Sequence, residues 1–171
     1  MQVMNSSTKH RVRITLNGVQ CSGFAEPRTL LSDFLRHELG ATGTHVGCEH
    51  GVCGACTIQL DGVPVRACLK LAVQVDGRDI KTVEGLATGS QMNELQLAFR
   101  KHHALQCGFC TAGILMSLDA FLAATPGATE QQIRETLSGH ICRCTGYTGI
   151  IDAAVEAAAA ISSTNPQSVE V

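Results

Sequence analysis

Apolar and polar residues alternate along the first half of the chain, a pattern that is typical of short β-strands joined by tight turns. Asn17-Gly18 and Asp61-Gly62 are two-residue turn signals, and each lies between two alternating segments. Leucines at helical spacing between these hairpins predict a helix that ends before Gly40. The predicted elements are a hairpin at 11–25, a helix at 29–39, a hairpin at 57–65 and strands at 73–75 and 80–83.

The period of the apolar positions changes from two to about 3.6 after Glu84, which predicts helices in the second half of the chain. These helices are predicted at 92–103, 111–124, 129–137 and 148–161. We therefore expect an α+β fold in which a mixed-sheet domain at 11–83 precedes an all-α domain at 84–161. The polar ends predict a disordered arm at 1–10 and a frayed tail at 162–171.

Composition and charge exclude several functional classes. The 171 residues include 13 basic and 15 acidic side chains, so the net charge of −2 lacks the basic footprint of a nucleic-acid-binding protein. No apolar run approaches the roughly 18 residues of a membrane span. The polar start of the chain has no apolar signal-peptide core, so we expect a cytoplasmic protein whose thiols stay reduced.

Nine cysteines in such a chain favour metal binding. Four of them follow the C-x4-C-x2-C…C pattern of plant-type [2Fe–2S] proteins: Cys48, Cys53, Cys56 and Cys68. Three glycines supply the tight turns that converging ligands require: Gly47, Gly51 and Gly54. Structural zinc sites often pair two C-x2-C motifs, whereas here the first gap is four residues and the fourth cysteine stands alone. This first cysteine group therefore predicts a [2Fe–2S] cluster rather than zinc or disulfides.

A second cysteine group has the pattern C-x2-C…C-x-C: Cys107, Cys110, Cys142 and Cys144. Each pair precedes a predicted helix, and a helix N-terminus stabilises thiolates and an anionic cluster through its free N–H groups. Spacing alone leaves both a cluster and a structural zinc ion open for this group. A thioredoxin-like dithiol is disfavoured because no βαβ pattern surrounds the motif. The ninth cysteine, Cys21, is expected to be an apolar filler on a strand.

The residues around the cysteines carry a resemblance that covers about residues 10–161. Three segments are similar to the small iron–sulfur subunit of the molybdenum hydroxylase (xanthine oxidase) family: Gly47-Cys-Glu-His-Gly-Val-Cys-Gly-Ala-Cys56, Leu105-Gln-Cys-Gly-Phe-Cys-Thr-Ala-Gly113 and Ser138-Gly-His-Ile-Cys-Arg-Cys-Thr-Gly-Tyr147. The resemblance implies a plant-ferredoxin-like β-grasp domain followed by a four-helix bundle, each with one [2Fe–2S] cluster. It thereby favours a cluster over zinc in the second cysteine group.

Two positions depart from the family pattern without touching the predicted ligands. Ala112 stands where the family commonly has proline, and His140 stands where it commonly has asparagine. A proline at a helix start only pre-sets φ, so Ala112 is expected to have a small effect. His140 lies close to Cys142 and could donate a hydrogen bond to a cluster sulfur, but we interpret it as a loop histidine with a partner of its own.

The family also implies partner subunits and a direction of electron flow. Such a chain pairs with a large subunit that binds molybdopterin, usually as molybdopterin cytosine dinucleotide, and with a medium subunit that binds FAD. A dimer of these heterotrimers is expected. Electrons released by hydroxylation at molybdenum pass through the second cysteine group and then the first to FAD, so this chain performs no bond chemistry. By the same pattern Gln106 hydrogen-bonds the pterin and Cys144 lies near it.

The substrate binds on the large subunit, so this chain is least informative about it. The sequence flanking the cysteines is most similar to that of the bacterial N-heterocycle hydroxylases. An N-heteroaromatic compound such as quinoline is therefore the first expectation. Carbon monoxide, aldehydes, purines and aromatic thioesters are the alternatives within the family. A zinc-stabilised binding module and a free-standing ferredoxin are the alternatives from other classes.

Overall fold

A mixed five-stranded sheet dominates the first half of the chain in the computed structural model, which describes residues 8–164. The strands are β1 (His10–Leu16), β2 (Val19–Ala25), β3 (Thr57–Leu60), β4 (Val63–Arg66) and β5 (Asp79–Lys81). They are ordered β2-β1-β5-β3-β4, with β1 and β5 parallel and the other neighbours antiparallel. Residues 1–7 of the predicted arm lie outside the described residues, whereas His10 already belongs to β1.

Both predicted hairpin turns are confirmed. The φ angles are 51° and 81° at Asn17 and Gly18, and 49° and 81° at Asp61 and Gly62. Positive φ at both central residues is the type I′ geometry, whose twist matches that of paired antiparallel strands. The Asn17 side chain also accepts a hydrogen bond from the Thr82 N–H at 2.8 Å, which fixes the first hairpin against the segment that follows β5.

A short helix, α1, covers one face of the sheet. It begins as an α-helical turn at Leu31–Asp33 and continues as a π-helical segment at Phe34–Glu38, inside the predicted range. The strand predicted at 73–75 is wrong, because Ala72–Val75 forms a 3₁₀ turn. Ala72 and Val75 are both buried three residues apart, which is the period of a 3₁₀ helix. A short apolar run in a sequence does not distinguish that period from a strand.

Four helices form the second half of the described chain: α2 (Glu94–Lys101), α3 (Thr111–Ala124), α4 (Glu130–Leu137) and α5 (Tyr147–Thr164). The side chains of Asn93 and Thr129 cap α2 and α4 by accepting from free N–H groups of the first turn. Helix α5 continues through the first residues of the predicted tail, and residues 165–171 lie outside the described residues. No helix within 8–164 is long and apolar enough to cross a membrane.

Helix α3 joins the two halves of the molecule. One apolar core lies between the sheet and α1, and a second lies among the four helices. The Gln59 side chain on β3 donates to the Met116 carbonyl of α3 at 3.1 Å. At the start of α3, a Cβ added to Gly113 would lie 2.2 Å from the Gly54 carbonyl oxygen. The first turn of α3 therefore packs directly on the loop that carries the first cysteine group.

Candidate metal centres

The first cysteine group is built by the loop between α1 and β3 and by the 3₁₀ turn Ala67–Leu69 that follows β4. Backbone N–H groups surround the Cys48 thiol, and the Cys53 N–H lies 3.4 Å from its Sγ. These donors, led by the N–H groups of Cys53 and His50, lower the pKa of Cys48 to about 6. The loop thus stabilises a thiolate before any metal is considered, because hydrogen bonds to the charged form favour it.

Two further thiols of this group are buried beside each other. Burial raises the pKa of Cys68 to about 11, and the neighbouring Cys56 thiol adds to the rise. Cys48 is close enough to contribute as well. Two adjacent buried thiols cannot both ionise cheaply without a cation, and a bound metal supplies that cation. The donor set therefore fits a thiolate-ligated metal group.

The three predicted glycines of the first cysteine loop are required for two different reasons, namely backbone conformation and space. Gly51 and Gly54 have φ of 83° and 76°, which side chains with a Cβ rarely adopt. Gly47 has an ordinary φ, but a Cβ there would lie 3.0 Å from the Cys53 Sγ. The first two glycines therefore shape the loop, and Gly47 leaves room for a sulfur atom.

The second cysteine group is assembled from the starts of α3 and α5. Burial raises the pKa of Cys110, at the N-cap of α3, to about 12, and the adjacent Cys142 thiol adds to the rise. Cys107 is exposed. A hydrogen bond from the Phe109 N–H is the largest cause that lowers the pKa of Cys107, and a hydrogen bond with the Cys144 thiol is the second. The structure thus brings all four predicted thiols together in neighbouring pairs. The Gly146 N–H, which precedes α5, donates to the Cys142 Sγ at 3.4 Å.

Gln106 lies on the outer side of the second cysteine group. Its side-chain Nε2 donates to the Cys144 carbonyl at 3.1 Å, and the residue is exposed beside exposed Cys107. Three large apolar side chains are exposed on the segments around it: Leu105, Phe109 and Ile141. None of these three residues belongs to a predicted ligand set, and their position beside the metal-ligand motifs is the signal that the sequence offers for them. Large apolar side chains that are exposed beside a candidate metal centre are candidate contacts for a partner protein.

The two cysteine groups are linked by a main-chain hydrogen bond. The Ile141 N–H, next to Cys142, donates to the Cys53 carbonyl at 3.0 Å. His140 is buried beside this bond, and its Nε2 lies 2.7 Å from the Ser117 hydroxyl. Burial, followed by the nearby Arg66 charge, lowers the pKa of His140 to about 4, so its ring is neutral at pH 7. The Ser117 contact agrees with a histidine that has its own partner.

Cys21 is separate from both groups. It lies on β2, is partly exposed, and packs at the edge of the sheet core. Its expected place on a strand is confirmed, although it is less buried than an apolar filler would be. Within residues 8–164, no side-chain hydrogen bond connects Cys21 to the eight clustered thiols.

Comparison with known protein families covers both halves of the chain. Residues 14–87 match the 2Fe-2S iron-sulfur cluster binding domain, and residues 82–155 match the [2Fe-2S] binding domain. The chain is 55% identical over 149 residues to the caffeine dehydrogenase subunit gamma of Pseudomonas sp. (strain CBB1), covering 85% of this chain and 89% of that protein. It is 48% identical over 165 residues to the nicotine 6-hydroxylase small subunit of Paenarthrobacter nicotinovorans, covering 96% and 99%.

A solved structure is similar throughout its length. Quinoline 2-oxidoreductase from Pseudomonas putida 86 contains a chain that superposes with a TM-score of 0.88 at 51% identity, covering 92% of this chain and 98% of that one. This chain belongs to the iron–sulfur subunits of the molybdenum hydroxylases. The iron–sulfur subunit is therefore part of an oxidoreductase, and its fold is the expected ferredoxin-like domain followed by a helical domain. Because both halves match [2Fe–2S]-binding families, a cluster is favoured over zinc at the second cysteine group.

Proposed function

We propose that this iron–sulfur subunit transfers electrons within a three-subunit molybdenum hydroxylase and holds one [2Fe–2S] cluster in each half. The proposed ligands of the first cluster are Cys48, Cys53, Cys56 and Cys68, and those of the second are Cys107, Cys110, Cys142 and Cys144. The observation that carries the proposal is the assembly of two thiol groups, each with N–H donors, joined by the Ile141–Cys53 hydrogen bond. A bound [2Fe–2S] cluster accepts and releases one electron at a time.

The residues of this chain set the conditions for that transfer. N–H groups of the first loop and of the α5 start point at sulfur atoms and offset negative charge. Burial of Cys56, Cys68, Cys110 and Cys142 keeps water away from the thiols. The proposed domains at 11–83 and 84–161 agree with the two separate cores. No residue of this chain is proposed to act on a substrate bond.

Exposed apolar side chains lie beside each cysteine group, and we assign each set to a different partner subunit. Exposed Leu105, Phe109 and Ile141 each stand within two residues of a cysteine of the second group, and we assign them to the contact with the large subunit that binds molybdopterin cytosine dinucleotide. Gln106 and Cys144 are the residues nearest the pterin in this arrangement. Exposed Val52 and Leu69 flank the first cysteine group and are assigned to the FAD-binding subunit. The assembled complex is a cytoplasmic dimer of heterotrimers.

The substrate proposed for the complex is an N-heteroaromatic compound of the quinoline type. The relatives at about half identity are named for caffeine, nicotine and quinoline, which all contain a nitrogen heterocycle. An aldehyde oxidoreductase of Megalodesulfovibrio gigas is less similar, at 41% identity. Because caffeine is itself a purine, purines are the nearest alternative to quinoline. Aldehydes, carbon monoxide and aromatic thioesters are the further compounds against which quinoline is compared.

Purification of the intact complex tests this function. We expect two larger subunits to co-purify, with about four irons and four acid-labile sulfides per small chain, since each cluster contains two of each. Reduction of a dye acceptor with quinoline should exceed that with an aldehyde or carbon monoxide. Stoichiometric zinc in place of iron would overturn the electron-transfer role. Turnover of carbon monoxide but of no heteroaromatic compound would overturn only the substrate.

A further inference from the structure

Arg66 lies at the junction between the two cysteine groups. It is the last residue of β4 and stands two positions before Cys68. Its Nη1 donates to the Thr57 hydroxyl at 2.5 Å, and that hydroxyl donates to the Gly54 carbonyl at 2.6 Å. One side of the guanidinium is thus connected to the loop that carries Cys53.

The other side of the guanidinium contacts the segment before Cys142. Nη2 donates to the Gly139 carbonyl at 2.7 Å, and a Cβ on Gly139 would lie only 3.0 Å from Nη2. Glycine at this position therefore leaves the space that the guanidinium occupies. The planar donor fork of arginine suits two acceptors held at a fixed angle, which the flexible ammonium of lysine does not reproduce.

The charge of Arg66 has no carboxylate to neutralise it. Arg66 is only partly exposed, and within the part of the chain that the structure describes no Asp or Glu oxygen pairs with it. Both of its acceptors are neutral, namely a hydroxyl and a carbonyl. A half-buried cation interacts with other charges more strongly than one in water, because the effective dielectric constant around it is lower.

We propose that Arg66 fixes the spacing of the two cysteine groups and raises the reduction potentials of the clusters they hold. This inference rests on the proposed function. Each four-thiolate cluster takes up one electron and no proton, so its formal charge changes from about −2 to about −3. A fixed cation stabilises the more negative state more strongly. Removing the charge of Arg66 therefore makes reduction less favourable.

Redox titration of the intact complex, followed by the EPR signals of the clusters, tests the charge. In Arg66→Gln we expect the equilibrium constant for reducing at least one cluster to fall about tenfold, which is about 59 mV for a one-electron couple. Arg66→Lys keeps the charge and should retain most of the potential. Arg134→Gln is the matched control, because it removes the same unit charge from an exposed ion pair with Glu130 on α4.

The spacing is tested by the magnetic interaction between the two reduced clusters. Arg66→Lys and Thr57→Val both disrupt the hydrogen bonds but keep the charge, so they should alter this interaction while the potentials change little. A potential in Arg66→Gln no lower than in Arg134→Gln would overturn the role of the charge. Unaltered spin coupling in all Arg66 and Thr57 variants would overturn the role in spacing. Absence of two EPR signals in the unaltered complex would instead overturn the proposed function itself.

Discussion

The substitution Gly113→Ala has two opposite effects on stability, because it raises the helix propensity of α3 but adds a methyl group at the contact between the two halves. Gly113 is the third residue of α3, where alanine is preferred over glycine by about 1 kcal/mol. The added Cβ would lie 2.2 Å from the Gly54 carbonyl oxygen and 3.0 Å from the Ala55 carbonyl oxygen. The shorter distance is more than about 1 Å inside an ordinary non-bonded contact. Both oxygens belong to the backbone of the first cysteine loop, so they cannot move as a flexible side chain would.

We expect the packing cost to exceed the gain in helix propensity, so the substitution should destabilise the protein. Inserting a methyl group into a close-packed site costs about 1–3 kcal/mol, and this contact belongs at the upper end because the obstacle is main chain. After subtraction of the propensity gain, the net loss is about 2 kcal/mol. For a chain of this size each kcal/mol lowers the unfolding midpoint by roughly 2–4 °C, so a loss of about 2 kcal/mol gives a shift of about 4–8 °C.

The assay is the thermal loss of cluster absorbance in the purified complex, followed at wavelengths longer than the visible band of FAD, since only there does the signal report the small subunit. Gly149→Ala is the graded control: Gly149 is also helical, but its Cβ would lie 3.0 Å from the His102 carbonyl oxygen. We expect Gly113→Ala to lose absorbance at a clearly lower temperature than Gly149→Ala. Equal midpoints for both variants and the unaltered complex would refute the argument from the Gly113 contact.

Three further predictions address ligation, pH and the pterin side. Cys110→Ser should abolish one of two [2Fe–2S] EPR signals and block electron transfer to FAD, and retention of both signals would show that Cys110 is not a ligand. Hydrogen bonds from Lys101 and then His102 lower the pKa of Glu156 below its usual 4.5. The ion pairs of Glu156 therefore stabilise the fold fully above pH 4.5, and this contribution is lost as the pH falls through the lowered pKa. Glu156→Gln should therefore lower the thermal midpoint slightly at pH 7, and the difference from the unaltered complex should shrink as the pH falls through the lowered pKa of Glu156; a difference that does not depend on pH would contradict this. Gln106→Ala should keep both EPR signals but slow cluster reduction by substrate about tenfold, as expected for a lost positioning contact; an unchanged rate would remove Gln106 from the pterin site.

Local chemistry explains why much of the fold could be predicted. Asn-Gly and Asp-Gly turns have a backbone preference that two residues carry by themselves, and both form as expected. The capping box at Thr129 similarly depends on a residue only three positions away. The eight clustered cysteines could be grouped because ligand spacing within a loop is itself a local constraint. The turns, the cap and the cysteine pairs are each complete within a short stretch of sequence, whereas joining Cys107 and Cys110 to Cys142 and Cys144 depended on the family resemblance.

The junction could not be predicted, because its partners are far apart in the chain. Arg66 and Gly139 are separated by 73 positions, and no local period relates them. The helical segment at 34–38 has π geometry and the turn at 72–75 has 3₁₀ geometry, and both segments place residues in the sheet core. The sequence shows only that Arg66 stands two positions before a predicted ligand. This position does not distinguish Arg66 from any other arginine at the end of a strand.

Few positions at the junction offer a side chain whose substitution would change the contact between the two halves. The Ile141–Cys53 bond joins two main-chain groups, and any side chain at either position leaves it intact unless the backbone moves. Arg66 and the small residue at 113 are different, because their side chains, or the lack of one, determine how closely the loops approach. We expect variants at 113 to change stability and variants at 66 to change potential, since the first affects volume and the second affects charge. If both kinds of variant changed only stability, the junction would be a packing contact without influence on electron transfer.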